Sequence, residues 1–292
     1  MHEMITETIE NKQAADSNKE VNLVSEFAEK IAVVTGAATG LGEAIAVKLF
    51  QMGAKVVIAD IDVDGAHVVA ERLDASGDRV HVIETDVRNH QAVEEMVNET
   101  VNRFGGLHLA VNNAGITGRH NVTTADYEID WWNDVIATDL SGVFFGLKYE
   151  IPMIIRSGGG AIVNMSSANG VVGVAGISPY TAAKHGIIGL TRAAALEYAD
   201  KGVRINAIGP GYVDTPNMHK VPEEVRSQMA ASHPMGRPPC THRRSRRCGR
   251  VLAIKQSVFR YRQFLLNGRR LHRSLNVKLL CGVDRGQELC RL

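Results

Sequence analysis

The chain has 292 residues, enough for one large α/β domain with extensions at both ends. Its hydrophobic share of 45% is that of a folded protein, while an aromatic share of 5% leaves the core to Ala, Val, Ile, Leu and Gly. No run is long and apolar enough to span a bilayer and the polar N-terminus has no apolar signal core, so a membrane partner is excluded and a reducing cytoplasm is the expected location.

Residues 1–28 are polar and are expected to form a disordered tail. From Lys30 the pattern changes. Ile31–Thr35 is a short apolar run read as a buried parallel strand, and Gly42–Met52 has helical spacing closed by Gly53. Lys55–Asp60 is a second strand, Val63–Leu73 a helix, Val80–Glu84 a third strand and His90–Phe104 a helix ended by Gly105 and Gly106. Leu107–Asn112 is a fourth strand. A long helix follows from Trp131 to Arg156, with a kink expected at Pro152. Gly160–Met165 is a fifth strand, Tyr180–Ala199 a helix and Val203–Ile208 a sixth strand. Strands alternating with helices through short links predict an α/β fold, a doubly wound parallel sheet of Rossmann type, in a single domain over residues 29–236.

The first turn reads Thr35-Gly-Ala-Ala-Thr-Gly-Leu-Gly42. Glycines between a strand and a helix allow a tight turn and let backbone N–H groups approach a pyrophosphate at the helix N-terminus. Thr35, Gly36, Thr39, Gly40, Leu41 and Gly42 are therefore candidate cofactor residues, although a glycine turn alone is weak evidence. Asp60, with Ile61 beside it, ends the second strand where a carboxylate can accept bonds from ribose hydroxyls and repel a 2′-phosphate, which favours NAD over NADP. Asp86 and Val87 follow the third strand and are candidates for the adenine edge. Asn112-Asn113-Ala114-Gly115 ends the fourth strand with small residues that let the chain run beside a cofactor.

Tyr180-Thr-Ala-Ala-Lys184 opens a helix, and positions i and i+4 share a face. An ammonium beside a phenol stabilises the phenolate, as general acid–base work near neutral pH requires. Ser167, just after the fifth strand, can hold a substrate oxygen while its charge changes. Each of these is commonplace alone. Thr-Gly-x-x-x-Gly-x-Gly, Asn-Asn-Ala-Gly, Ser then Tyr-x-x-x-Lys, and Pro210-Gly211 after the sixth strand occur in order, each at the matching element. Together they resemble the short-chain dehydrogenase/reductase family over about residues 30–235.

The resemblance implies an enzyme that interconverts a secondary alcohol and a ketone with NAD. Tyr180 would be the general acid/base, Lys184 would favour its phenolate form and bind the nicotinamide ribose, and Ser167 would orient the substrate oxygen. Pro210, Gly211, Val213 and Thr215 would lie along the nicotinamide end. The family usually carries Asn in the middle of the long helix, where its backbone helps hold a proton-relay water; the matching residue here is Asp139. The implied partners are a small alcohol or ketone and further copies of the chain in a dimer or tetramer paired through the long helices, with no metal and no nucleic acid. The apolar segment Gly173–Ser178 points to a modest or alicyclic substrate.

From Arg237 the chain carries 13 Arg and two Lys against Asp284 and Glu288, and it holds all four cysteines, Cys240, Cys248, Cys281 and Cys290, without a CxxC pair. The family ends instead with a strand bearing Asp-Gly-Gly. Read one frame over, Ser257–His272 can encode Ala-Ser-Phe-Val-Thr-Gly-Ser-Phe-Tyr-Ser-Met-Asp-Gly-Gly-Tyr-Thr, which resembles that strand. Residues 237–292 are thus expected to be an out-of-frame tail, leaving the last strand missing. Loss of that support makes a catalytically impaired nucleotide-binding protein the alternative reading. An uninterrupted frame across the Arg237 codon in DNA, with a matching intact mass, removes the sequence-error explanation.

Overall fold

β1 (Ile31–Thr35) is buried along its whole length, which demands cover on both faces of the sheet it joins. The computed structural model describes residues 27–211 together with 223, 224, 226 and 227. Within it β1 is followed by α1 (Gly40–Gln51), β2 (Lys55–Asp60), α2 (Val63–Leu73), β3 (Val80–Glu84), α3 (His90–Phe104) and β4 (Leu109–Asn112). Next come α4 (Ile129–Val135), a π-helical segment (Ile136–Ser141), α5 (Gly142–Arg156), β5 (Gly160–Met165), α6 (Ser178–Tyr198) and β6 (Val203–Ile208).

The six strands form one parallel sheet in the order β3-β2-β1-β4-β5-β6. Successive side chains point to opposite faces, and the apolar residues divide accordingly. Ala32, Val34, Val56 and Ile58 pack with Ile45 and Leu49 of α1 and Val69 of α2. Val33, Val57, Ala110 and Ile162 pack on the other face with Met96 of α3, Ile151 of α5 and Ile187 of α6. The chain reverses direction across the sheet between β1 and β4, and in doubly wound sheets the crevice that takes a ligand lies at such a switch point, outside the carboxyl ends of the strands.

Besides shifts of one or two residues at the ends of α1 and α6, three features differ from the expectation. The core begins two residues before 29, because Phe27 is buried among the residues under α1 and its N–H donates to Met52 O at 2.9 Å. β4 starts at Leu109 rather than Leu107, since the Leu107 N–H is taken by Ser157 Oγ at 3.0 Å instead of a neighbouring strand. The long helix starts at Ile129 and is interrupted by the π segment, and α5 continues through Pro152 to Arg156. The polar tail before residue 27 and the segment 237–292, including the expected out-of-frame tail and missing strand, lie outside the described residues.

A buried polar chain crosses the second face. Asn112 Nδ2 donates to Glu150 Oε2 and to Asn164 Oδ1, each at 3.0 Å, and Asn164 Nδ2 donates to Thr191 Oγ1 at 3.0 Å. Glu150 is fully buried and its Oε1 has no hydrogen-bond partner. Burial therefore pushes its carboxyl up to about 7, against the weaker opposing pull of the Asn112 amide. A carboxyl raised in the folded state keeps its proton where the unfolded chain has lost it. Its stabilising contribution is complete below the unfolded value and disappears as pH rises through about 7. Urea unfolding at about pH 5 and pH 8 should show a loss of roughly 2 kcal/mol from this group, a loss absent from Glu150→Gln; equal pH dependence in the two proteins would refute the assignment.

Candidate active site

At the switch point the ends of β1 and β4 are fastened together. Thr35 Oγ1 accepts the N–H groups of Asn113 at 3.0 Å and Ala114 at 3.1 Å. Asn113 Nδ2 donates in return to the Thr35 and Gly36 carbonyls, both at 3.0 Å. The glycine turn bends over this joint. Gly36 has a φ of 63°, and a Cβ there would lie 2.8 Å from Ala114 Cα. A Cβ on Gly42 would lie 2.0 Å from the Gly36 carbonyl oxygen, so α1 meets the turn with no room for a side chain. Thr39 precedes α1 without a side-chain capping bond, which leaves the first helical N–H groups available to an anion. Gly36, Thr39, Gly40, Leu41 and Gly42 thus form a tight backbone turn at an uncapped helix N-terminus, an arrangement that could hold a dinucleotide pyrophosphate.

Asp60, at the end of β2, sits against the same turn. Its Oδ2 accepts the Ala38 N–H at 2.8 Å and its Oδ1 the Asp62 N–H at 3.0 Å, so the carboxylate is fixed beside the glycine loop. Ile61 next to it is 60% exposed. Asp86 is held below the usual carboxylate range by Arg88, whose Nη2 lies 2.7 Å from Oδ2 and whose backbone N–H also donates to it. Val87 is buried against Gly142.

The chemical end is assembled by β5 and α6. Ser166 Oγ donates to the Lys184 carbonyl at 2.9 Å, and its backbone N–H donates to Ile208 O at 2.8 Å. The loop after β5 is thereby tied to both α6 and β6, and the Ala168 N–H extends the tie to Pro210 O at 2.9 Å, beside Gly211. Ser167 Oγ accepts the Asn169 N–H at 3.2 Å, which leaves its own hydrogen free to donate. Lys184 is buried; its Nζ donates to Met165 O at 3.0 Å and lies 5.3 Å from the centre of the Tyr180 ring.

Asp139, in the π segment, completes this group. Its carboxylate is fully buried, Oδ2 lies 2.8 Å from Lys184 Nζ, and Oδ1 accepts the Ile116 N–H at 2.8 Å. The Lys184 contact is ionic; Oδ2 has no directed hydrogen bond. Burial pushes the Asp139 carboxyl above the usual carboxylate range, while the Lys184 ammonium and the Ile116 N–H pull against it. Gly115 is required here, since a Cβ on it would come within 2.9 Å of Oδ2.

Thr35, Gly36, Thr39 to Gly42 and Asp60 thus gather around the turn after β1, and Lys184 and Asp139 meet beside the end of β5, with Tyr180 near Lys184. Val213 and Thr215 lie outside the described residues. Sequence reasoning missed Ser166, which anchors the serine loop, and the buried set of Asn112, Glu150, Asn164 and Thr191. The available signal was an Asn inside each of two apolar strands and an acid on the apolar face of α5. Among the described residues no cluster of His, Cys, Asp and Glu could hold a metal ion, and no helix is long and apolar enough to cross a membrane.

A doubly wound sheet with a dinucleotide cradle at its switch point and a Ser, Tyr and Lys set after β5 defines a nucleotide-dependent oxidoreductase class. The chain belongs to the short chain dehydrogenase family, matching it over residues 30–226. It is 43% identical over 213 residues to a cyclohexanol dehydrogenase of Acinetobacter sp. (strain SE19), covering 73% of this chain and 83% of that enzyme. It is 44% identical over 211 residues to a cis-4-hydroxycyclohexanecarboxylate dehydrogenase of Sinomonas cyclohexanicum, covering 72% of this chain and 84% of that enzyme. The crystal structure of a levodione reductase superposes with a TM-score of 0.72 at 32% identity, over 78% of this chain and 91% of that one. Members of the family use nicotinamide cofactors.

The cradle allows a direct check. Gly42→Ala forces the Gly36 carbonyl away from α1. It should weaken NADH binding, followed by nicotinamide fluorescence, by about tenfold or more, the order of one lost charge-assisted contact. Unchanged affinity would place the pyrophosphate elsewhere.

Proposed function

We propose that the protein is an NAD-dependent dehydrogenase of cyclic secondary alcohols, with Tyr180 as general acid/base, Lys184 and Ser167 as its partners and Asp139 completing the group. The observation that carries this reading is the position of the Lys184 ammonium, buried at the carboxyl end of β5 and 5.3 Å from the centre of the Tyr180 ring. An ammonium so close to a phenol is placed to offset the charge that develops on the phenol oxygen as it exchanges a proton with an alcohol. The free hydrogen of Ser167 Oγ is suited to hold the substrate oxygen as its proton leaves for Tyr180 Oη. NAD supplies the hydride acceptor when bound in the cradle.

Several residues bear on cofactor choice and orientation. The Asp60 carboxylate, held against the glycine turn, favours two ribose hydroxyls over a phosphate and hence NAD over NADP. Exposed Ile61 offers an apolar surface beside it for the adenine, with Asp86 and Val87 behind. Asn113, Ala114 and Gly115 give a close-packed floor, and Pro210, with Gly211 after it, is tied to the serine loop through the Ala168 N–H.

Apolar side chains support the substrate class. Ile116, Val171 and Val174 follow the β4 exit and the serine loop and remain 37%, 41% and 40% exposed. They suit a saturated ring whose one polar atom meets Ser167 and Tyr180. The names of the cyclohexanol and hydroxycyclohexanecarboxylate relatives point the same way. Phe144 of α5 and Leu196 of α6, 48% and 65% exposed, support pairing of these helices between copies of the chain. Ser167, Tyr180 and Lys184 are all present, so the site does not favour the catalytically impaired alternative.

With cyclohexanol, formation of NADH at 340 nm should proceed with NAD and much more slowly with NADP. Tyr180→Phe should lower turnover by at least about 100-fold with NADH affinity little changed. Full turnover by Tyr180→Phe, or a preference for NADP, would contradict the assignment.

A further inference from the structure

The ammonium of Lys184 has three hydrogens to place in a site closed to water. Met165 O takes one at 3.0 Å, and Asp139 Oδ2 faces the group at 2.8 Å. The other oxygen of the same carboxylate is also engaged, by the Ile116 N–H at 2.8 Å. Both neighbours of the Asp139 side chain are therefore donors. A carboxylate offers them two acceptors; an amide offers one and sets an N–H against the other donor. The site is chemically complementary to Asp and mismatched to Asn.

Resting on the reading of Tyr180 and Lys184 above, we propose that Asp139 is a positioning residue whose side-chain carboxylate clamps the Lys184 ammonium to the segment leaving β4 and supplies the countercharge that moderates the ammonium's field on Tyr180. The clamp joins the two ends of the crevice. Ile116 follows the Asn113-Ala114-Gly115 floor beneath the cofactor cradle, and Lys184 stands at the chemical end. In a backbone-based relay the side chain at this position is a bystander. Here it carries the contact, and a full negative charge enters the site.

Tyr180 is the titratable group that faces the pair. Three ionisable side chains of the helices packed around the π segment have partners of their own. Glu150 of α5 is bonded to Asn112, Asp134 of α4 lies 3.7 Å from Arg88, and His185 of α6 is bonded to the Thr181 carbonyl. Removing the Asp139 charge therefore leaves the Lys184 ammonium unopposed beside Tyr180.

Two measurements test the proposal, one independent of turnover. In the pH profile of kcat/KM for cyclohexanol oxidation, Asp139→Asn should move the acidic limb to lower pH by about half a unit or more, because the unopposed cation favours phenolate. An unmoved limb in a folded variant overturns the proposal. In urea unfolding, Asp139→Asn, Lys184→Met and the double variant form a cycle, and the double variant should lose less stability than the two single losses together. Additive losses overturn the clamp. Should Asp139→Asn not fold alone, recovery of folded protein on adding Lys184→Met supports the pairing and continued failure overturns it. Tyr180→Phe that retains turnover sinks the catalytic reading, whereas the unfolding cycle judges the clamp whatever Tyr180 does.

Discussion

A buried cation is the constraint around which this crevice is arranged. Lys184 cannot keep its charge under α6 without partners, because an ammonium taken out of water and left unpaired is far less stable than a solvated one. Its partners come from two directions, the last carbonyl of β5 and the carboxylate of Asp139. Each of these must itself be fixed. Met165 is fixed by strand pairing with β6, and Asp139 by the Ile116 N–H. Placing one positive charge correctly thus recruits a strand end, a helix interruption and a loop, and the same elements shape the space where a substrate oxygen would sit.

The other end of the crevice uses no buried charge. There the work is done by absence of side chains and by backbone donors. The Thr35 hydroxyl and the Asn113 amide lock β1 to β4, and the glycines let α1 begin almost in contact with that lock. The two ends differ in what they tolerate. A cradle in which an added Cβ would lie 2.0 to 2.8 Å from backbone atoms cannot relax around added bulk. The charge cluster depends instead on the count and polarity of its hydrogen-bonding atoms.

Much of the architecture was legible in the chain. β1 and β2 read as continuous apolar runs because a parallel strand is covered on both faces, and the glycine turn and Asp60 could be located from β1 and β2 alone. Asp139 could be picked out by position, but its partner stands 45 residues away and no local pattern pairs them. The same holds for Glu150, Asn112, Asn164 and Thr191. Each looks unremarkable on its own element, and they meet only when α5 and α6 close over the sheet. Buried Phe27 is missed when the stretch before Lys30 is read as one polar tail, although that stretch also holds Val21, Leu23 and Val24.

The π segment was equally silent, since Ile136-Ala-Thr-Asp-Leu-Ser141 has the composition of any helix. Widening the hydrogen-bond ring from i−4 to i−5 accommodates an extra residue in the turn. In a plain α-helix each residue advances by about 100°, so one residue more or less would rotate everything beyond it by that angle. The surplus residue is thus a mechanical phase shifter. It lets α4 keep Val135 inward and α5 keep Val143 and Leu147 inward, while the stretch between them turns a carboxylate, instead of an aliphatic group, toward Lys184.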